Sequence, residues 1–199
     1  MSSKRRMTAS TQQQEVSEDS PRLTIPVSGK KDHVQGPSTA KVVMVEYGDY
    51  QCPYCGEAYP IVKKIQEKHG NSLRFVFRNF PLTQIHPRAE FGAELAEAAA
   101  AGGKFWEMHD FIYENQRSLD DEEFFLKFAE KKLGLDKEKI HQSVVKHAFE
   151  PRIREDFMSG VRSGVNGTPT FFIKEHRHNG SYEFKALDEA IKSAINQKS

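Results

Sequence analysis

Apolar positions change their spacing along the chain, and the changes mark out elements. "KVVMVEY", Lys41 to Tyr47, is an almost unbroken β-branched and apolar run ending at Gly48, as expected of a central strand covered on both faces. Beyond it, Ala58, Ile61, Val62 and Ile65 recur at i, i+3, i+4 and i+7, the apolar stripe of a helix that stops near Gly70 and carries a bending Pro60. "SLRFVFRNF" is a second strand, so strand, helix and strand form a βαβ unit of the kind that builds parallel sheets.

From His86 to about Gly164 the period is helical throughout, in five segments beginning with "AEFGAELAEAAAA" and ending with "EPRIREDFMSGV". "TPTFFIK" returns to strand, "EHRHNGS" with its Asn-Gly predicts a hairpin loop, and "YEFK" is expected to be the returning strand. Leu187, Ala190, Ile191 and Ala194 stripe a closing helix. At the other end "LTIPV", Leu23 to Val27, is expected as a short edge strand that tolerates Pro26, with "SGKKDHVQGPSTA" a loop after it. Residues 1–21 lack aromatic residues and apolar period and are expected to be a disordered tail. The expected fold class is therefore α/β, with residues 22–85 and 165–199 forming one sheet-containing domain and 86–164 a helical insertion into it.

At 199 residues the chain can bury its own core, and a net charge of +1 lacks the basic excess of a nucleic-acid binder. The basic "SKRR" is followed by Ser, Thr, Gln and Glu where a secretory signal would place an apolar run, and no later segment is apolar enough to span a bilayer. The expectation is a cytoplasmic protein, whose thiols are normally kept reduced. Its two cysteines, in "GDYQCPYCGEAYP", then need a chemical reason. A disulfide over two intervening residues closes too short a loop to be a useful staple.

Pro53 suits the first position of a helix, which makes Cys52 its N-cap. The free amides of Tyr54 and Cys55, with a helix dipole worth about 1 to 2 kcal/mol to a partly buried anion, would lower the Cys52 pKa by roughly one unit. Cys52 is thus the candidate nucleophile, and Cys55, one turn on, the thiol that resolves a mixed disulfide. Zinc binding is the competing use of such a pair, with His176 and His178 as further ligands, although His-x-His in a polar hairpin tip is more simply a solvated loop. Glu46, a carboxylate inside an apolar strand, is a candidate proton acceptor for Cys55, against the plainer alternative of a strand-end residue facing water. Pro169, opening a strand after Gly-Thr, is a candidate cis-proline that leaves the backbone of Thr168 free to pair with an incoming chain. Pro53 and Tyr54, between the sulfurs, are further candidates for substrate contact. His86 before Pro87 is expected to start a helix, and Phe105, Trp106, Phe111, Met108 and Ile112 to be core of the helical insertion.

Three separated motifs, "VEYGDYQCPYCGEAYP", "FRNFPLTQIHPRAEFGAELAEAAAAGGKFWEMHDFIYENQ" and "GVNGTPTFFI", occur in an order that resembles the DsbA-like thioredoxin family from about Leu23 to Lys192. The resemblance implies a thioredoxin fold with an inserted helical domain and disulfide exchange with protein thiols or disulfides, without a cofactor. It implies Cys52 as attacking thiol, Cys55 as resolving thiol, Glu46 as buried acid and Thr168-Pro169 as the cis-proline contact. Pro-Tyr between the cysteines is the dipeptide familiar from glutaredoxins, where the periplasmic oxidant has Pro-His. That departure points to the reductase or isomerase direction, and to glutathione as an alternative partner.

Overall fold

A computed structural model describes residues 21–197, so the expected N-terminal tail lies, but for Pro21, outside the described residues. Five strands form one mixed sheet: β1 (His33–Gln35), β2 (Val42–Gly48), β3 (Leu73–Asn79), β4 (Thr170–Ile173) and β5 (His176–Arg177), in the order β1-β3-β2-β4-β5. β2 is central, parallel to β3 and antiparallel to β4. Its apolar run is buried on both faces for the reason its composition suggests. Met44 joins the larger core, which includes Ala58, Val62 and Ile65 of α1 (Pro53–His69), while Val45 and Tyr47 point to a smaller core on the opposite face.

The insertion between β3 and β4 holds α2 (Ala89–Ala100), α3 (Phe105–Glu114), α4 (Glu122–Leu133), α5 (Lys137–Val145) and α6 (Glu150–Arg162). Asp121 and Asp136 cap α4 and α5 by accepting from the amides of Phe124 and Lys139, and Gly134 ends α4 in a left-handed conformation. Phe105, Met108 and Ile112 are core residues, with Trp106 and Phe111 packed against them. α6 covers the smaller core, where Phe157 stacks on Phe80 with ring centroids 4.4 Å apart. The closing helix, α7 (Phe184–Asn196), buries Leu187, Ile191 and Ala194.

Two expectations are corrected. The edge strand is His33–Gln35, inside the expected loop, and Leu23–Val27 is irregular. Pro26 has no N–H for a ladder, and the carbonyls of Ile25 and Pro26 accept instead from the Arg78 guanidinium, which also pairs with Asp32 at 2.8 Å. In the hairpin, the turn is Lys174-Glu175, with Lys174 at φ 56°, so β5 begins at His176 and pairs with Ile173. Tyr182 and Glu183 are irregular and Phe184 opens α7, so "YEFK" supplies no strand.

Candidate active site

The C-terminal end of β2 delivers the chain to α1, and Pro53 at the first helical position leaves Cys52 as N-cap with extended backbone, φ −66° and ψ 121°. Both cysteines are free thiols. Cys52 is 3% exposed beneath an open surface of Pro53 and Tyr54, the latter 59% exposed, whereas Cys55 is at 0%.

The cause of Cys52's acidity differs from the sequence expectation. Its sulfur makes no side-chain cap hydrogen bond, being engaged elsewhere. The Cys55 thiol is the largest influence lowering the Cys52 pKa to about 5; Thr168 follows, and the amides of Cys55 and Tyr54 come last, against an opposing effect of burial. Thr168 meets the sulfur with two groups. Its carbonyl, 3.4 Å away, accepts from the protonated thiol, while its hydroxyl, buried and otherwise unpartnered, favours the thiolate. The Thr168-Pro169 peptide bond is cis.

Cys55 is driven the other way. Burial, its hydrogen bond to Cys52 and the negative charge of Glu46 all raise its pKa, opposed by the Asp49 amide, which donates to its sulfur at 3.5 Å. Glu46 is buried between Phe77 of β3 and Phe171 of β4, not facing water. Desolvation, then repulsion from the Cys52 thiolate, pushes its pKa up to about 8. The structure therefore gathers Cys52, Cys55, Glu46, Thr168 and Pro169 at one point. A recess of about 210 Å³ continues from Pro169 past Phe171, Arg177 and Tyr182.

His176 and His178 do not join them in a metal site. Among the described residues no group of three or more His, Cys, Asp or Glu is placed to hold an ion, and His178 Nε2 donates to Ser181 O at 3.0 Å.

Several contributors were not apparent from sequence. Asp49, buried at the turn into α1, accepts through Oδ1 from the amides of Gln51 and Cys52, and through Oδ2 from the Leu82 amide and His86 Nδ1 at 2.8 Å. His86, expected merely to start a helix, thus ties the loop ahead of α2 to the active-site turn. Gln116, after α3, donates through Nε2 to the carbonyls of Tyr50 and Cys52 at 2.9 and 2.8 Å. Asp49 next to the Cys-x-x-Cys was the only local hint, since a carboxylate before a helix start is a ready acceptor for free amides.

A parallel β2–α1–β3 unit followed by antiparallel β4 and β5, with helices inserted between the halves, defines the class: a thioredoxin fold of the DsbA-like kind. Residues 28–193 match the family described as thioredoxin, and the chain belongs to that family. It resembles BdbD from Bacillus subtilis, oxidised form, at TM-score 0.77 and 21% identity, over 89% of this chain and 98% of that one. A thioredoxin-like oxidoreductase from Silicibacter pomeroyi aligns at TM-score 0.68 and 26% identity, over 84% of this chain and 94% of that one. Among curated relatives, the Na(+)/H(+) antiporter NhaA 1 of Salinispora arenicola is 44% identical over 180 residues, covering 90% of this chain and 27% of that protein. The chain thus spans about a quarter of the length of the curated relatives it matches, and the antiport they are named for belongs to those larger proteins. No helix among the described residues is long and apolar enough to cross a membrane.

Proposed function

We propose that this chain is a protein disulfide oxidoreductase in which Cys52 attacks and Cys55 resolves. The observation that carries this is the opposite ionisation of two sulfurs one helical turn apart, Cys52 held down to about 5 and Cys55 pushed up by burial.

The Cys52 thiolate attacks one sulfur of a substrate disulfide, whose S–S bond breaks and releases a substrate thiolate. Cys55 then passes its proton to the Glu46 carboxylate and attacks Cys52. The mixed disulfide breaks, its electron pair leaves on the second substrate sulfur, and the Cys52–Cys55 disulfide forms. Two electrons have passed from the protein to the substrate. Pro53, Tyr54, Thr168 and Pro169 lie beside the Cys52 sulfur and form the substrate contact.

Two features bear on direction. Pro-Tyr between the cysteines favours reductase or isomerase work, while stabilising the thiolate form of a dithiol makes the corresponding disulfide the stronger oxidant. Isomerisation reconciles them, since it requires a pair that rests as the dithiol and transfers no net electrons. Equilibration in glutathione buffers, with Cys55→Ser used to trap partners, tests the reading. A pair mostly reduced at cytosolic poise and mixed disulfides with proteins through Cys52 are expected. Full turnover of glutathione mixed disulfides by Cys55→Ser would replace the protein substrate with glutathione, and equally slow alkylation of both thiols would end the reading altogether.

A further inference from the structure

Tyr113, on α3 of the helical insertion, is a buried polar group that the exchange steps above leave unused. Its hydroxyl is enclosed without a hydrogen-bond partner. Its ring is fixed by Tyr50, Tyr59 and His109, with centroids 5.0, 5.4 and 5.0 Å away. An unpartnered buried donor is costly, and a rigid ring gives it no route to a partner elsewhere.

The surroundings show where a partner arises. The hydroxyl lies over Gly48, where an added Cβ would sit 3.0 Å from Oη and 2.4 Å from the Phe77 ring, so glycine keeps the space clear. Glu46 is two residues earlier on β2 and projects to the same face as position 48. Asp49, one residue later, is the amide that donates to the Cys55 sulfur. Tyr113 Oη therefore lies on the same face of β2 as Glu46, near enough for the charges of Cys55 and Glu46 to act on it.

We propose that Tyr113 is a positioning residue of the exchange site, its O–H donating to whichever of Glu46 and Cys55 carries the negative charge. This deepens the function proposed above and rests on it. During resolution the Cys55 S–H bond breaks, an O–H bond forms on Glu46, and charge moves from carboxylate to sulfur. Tyr113 keeps its own proton throughout and follows the charge with its hydrogen bond.

Other groups face the same ring: Asp49 and Tyr50 after β2, Tyr59 on α1 and His109 on α3. Each Asp49 oxygen already accepts two donors. His109 is held neutral by burial. Tyr50 and Tyr59 are kept protonated, chiefly by burial. Burial, and then the charges on Cys55 and Glu46, likewise keep the Tyr113 phenol protonated.

The test follows thiol release from a preformed Cys52 mixed disulfide with an aromatic thiol, in the full chain, as a function of pH. Tyr113→Phe is expected to slow release about tenfold at neutral pH and to move its midpoint upward, because a charged acceptor loses its donor. The pH profile of Cys52 alkylation should stay in place. Fluorinated tyrosine at 113 keeps ring and hydroxyl, guards against misfolding of the phenylalanine variant, and should move the midpoint downward. An unchanged release profile in both variants overturns the inference. So does slowing that is equal at every pH and accompanied by a displaced Cys52 profile, the mark of simple loosening. A wild-type mixed disulfide that Cys55 never resolves would instead defeat the underlying functional reading, and this inference with it.

Discussion

The mouth of the site and the pocket beneath it hold the same functional group one helical turn apart, and treat it oppositely. At the mouth, Cys52 faces donors: the Cys55 thiol, Thr168 and the first amides of α1. In the pocket, Cys55 faces the apolar core and Glu46, whose carboxylate raises the thiol's pKa further whenever it is ionised. Proximity to a helix N-terminus does not by itself set a thiol's acidity, since both sulfurs have it. What else each sulfur touches decides. The mouth is made by α1 and the Thr168-Pro169 turn before β4, with Gln116 of the insertion bracing it, whereas the pocket is closed by Tyr113 of the insertion and by the turn that His86 holds through Asp49.

The comparison breaks most readily at the sulfurs. Cys52→Ser should remove exchange activity by on the order of a thousandfold or more, whereas Cys55→Ser should keep the first attack and accumulate mixed disulfide, seen by mass spectrometry. Equal losses in both would mean that the two thiols share one role. Glu46→Gln should slow resolution by about a hundredfold at neutral pH and erase its inflection. In the wild type that inflection is expected in stopped-flow release above the ordinary carboxylate range but below the value of about 8 of the reduced protein, because Cys52 in a mixed disulfide no longer repels the carboxylate.

The same variant sharpens the comparison through stability. Glu46 binds its proton more tightly folded than unfolded, so its favourable contribution is present below the unfolded value of about 4.3 and is lost as pH rises toward about 8. Cys52 is opposite: its contribution is present above the unfolded value of about 8.5 and is lost as pH falls through about 5. In the reduced wild type these slopes oppose each other between about pH 5 and 8. Glu46→Gln leaves the Cys52 slope unopposed, so the reduced variant should gain up to about 4 kcal/mol between those limits in urea unfolding, at about 1.4 kcal/mol per pH unit. A wild-type slope just as steep would show that Glu46 is ionised in the resting pocket.

How much of this was legible follows from how local each cause is. The helix α1, its Pro53 start and the N-cap position of Cys52 depend on neighbours in sequence and could be read directly. Glu46 stood out because a carboxylate in an apolar strand has few explanations. The meeting of Thr168 with Cys52 joins residues 116 positions apart, and only a family resemblance brought them together. Asp49 had a local hint in its place before a helix start, but its links to Leu82 and His86, like the partners of Gln116 and the rings around Tyr113, lie far along the chain, so nothing nearby marked them. The misplaced edge strand has the same origin, because Arg78 takes the carbonyls of Ile25 and Pro26 from across 53 and 52 residues. The hairpin differs in kind: Asn179-Gly180 is the more favourable turn, yet the chain turns at Lys174 in a left-handed conformation that lysine seldom adopts.

The smallest expected effect probes how independent mouth and pocket are. Gln116 is the strut that joins the insertion to the mouth, donating to the carbonyls of Tyr50 and Cys52, and its Oε1 would lie 2.4 Å from a Cβ at Gly56. Gln116→Ala removes both hydrogen bonds and should cost about 1 kcal/mol in unfolding free energy, since the Cys52 carbonyl keeps the amides of Cys55 and Gly56 and the Tyr50 carbonyl loses its side-chain donor. Resolution should slow only about threefold, an effect of less than about 1 kcal/mol on the barrier. The alkylation midpoint of Cys52 should hardly move, because the groups that lower it are Cys55, Thr168 and the α1 amides, none of them on the insertion. Thr168→Val, which removes a hydroxyl that favours the thiolate, should raise that midpoint; if Gln116→Ala raises it as far, the insertion sets the acidity of the attacking sulfur, and the division between mouth and pocket fails.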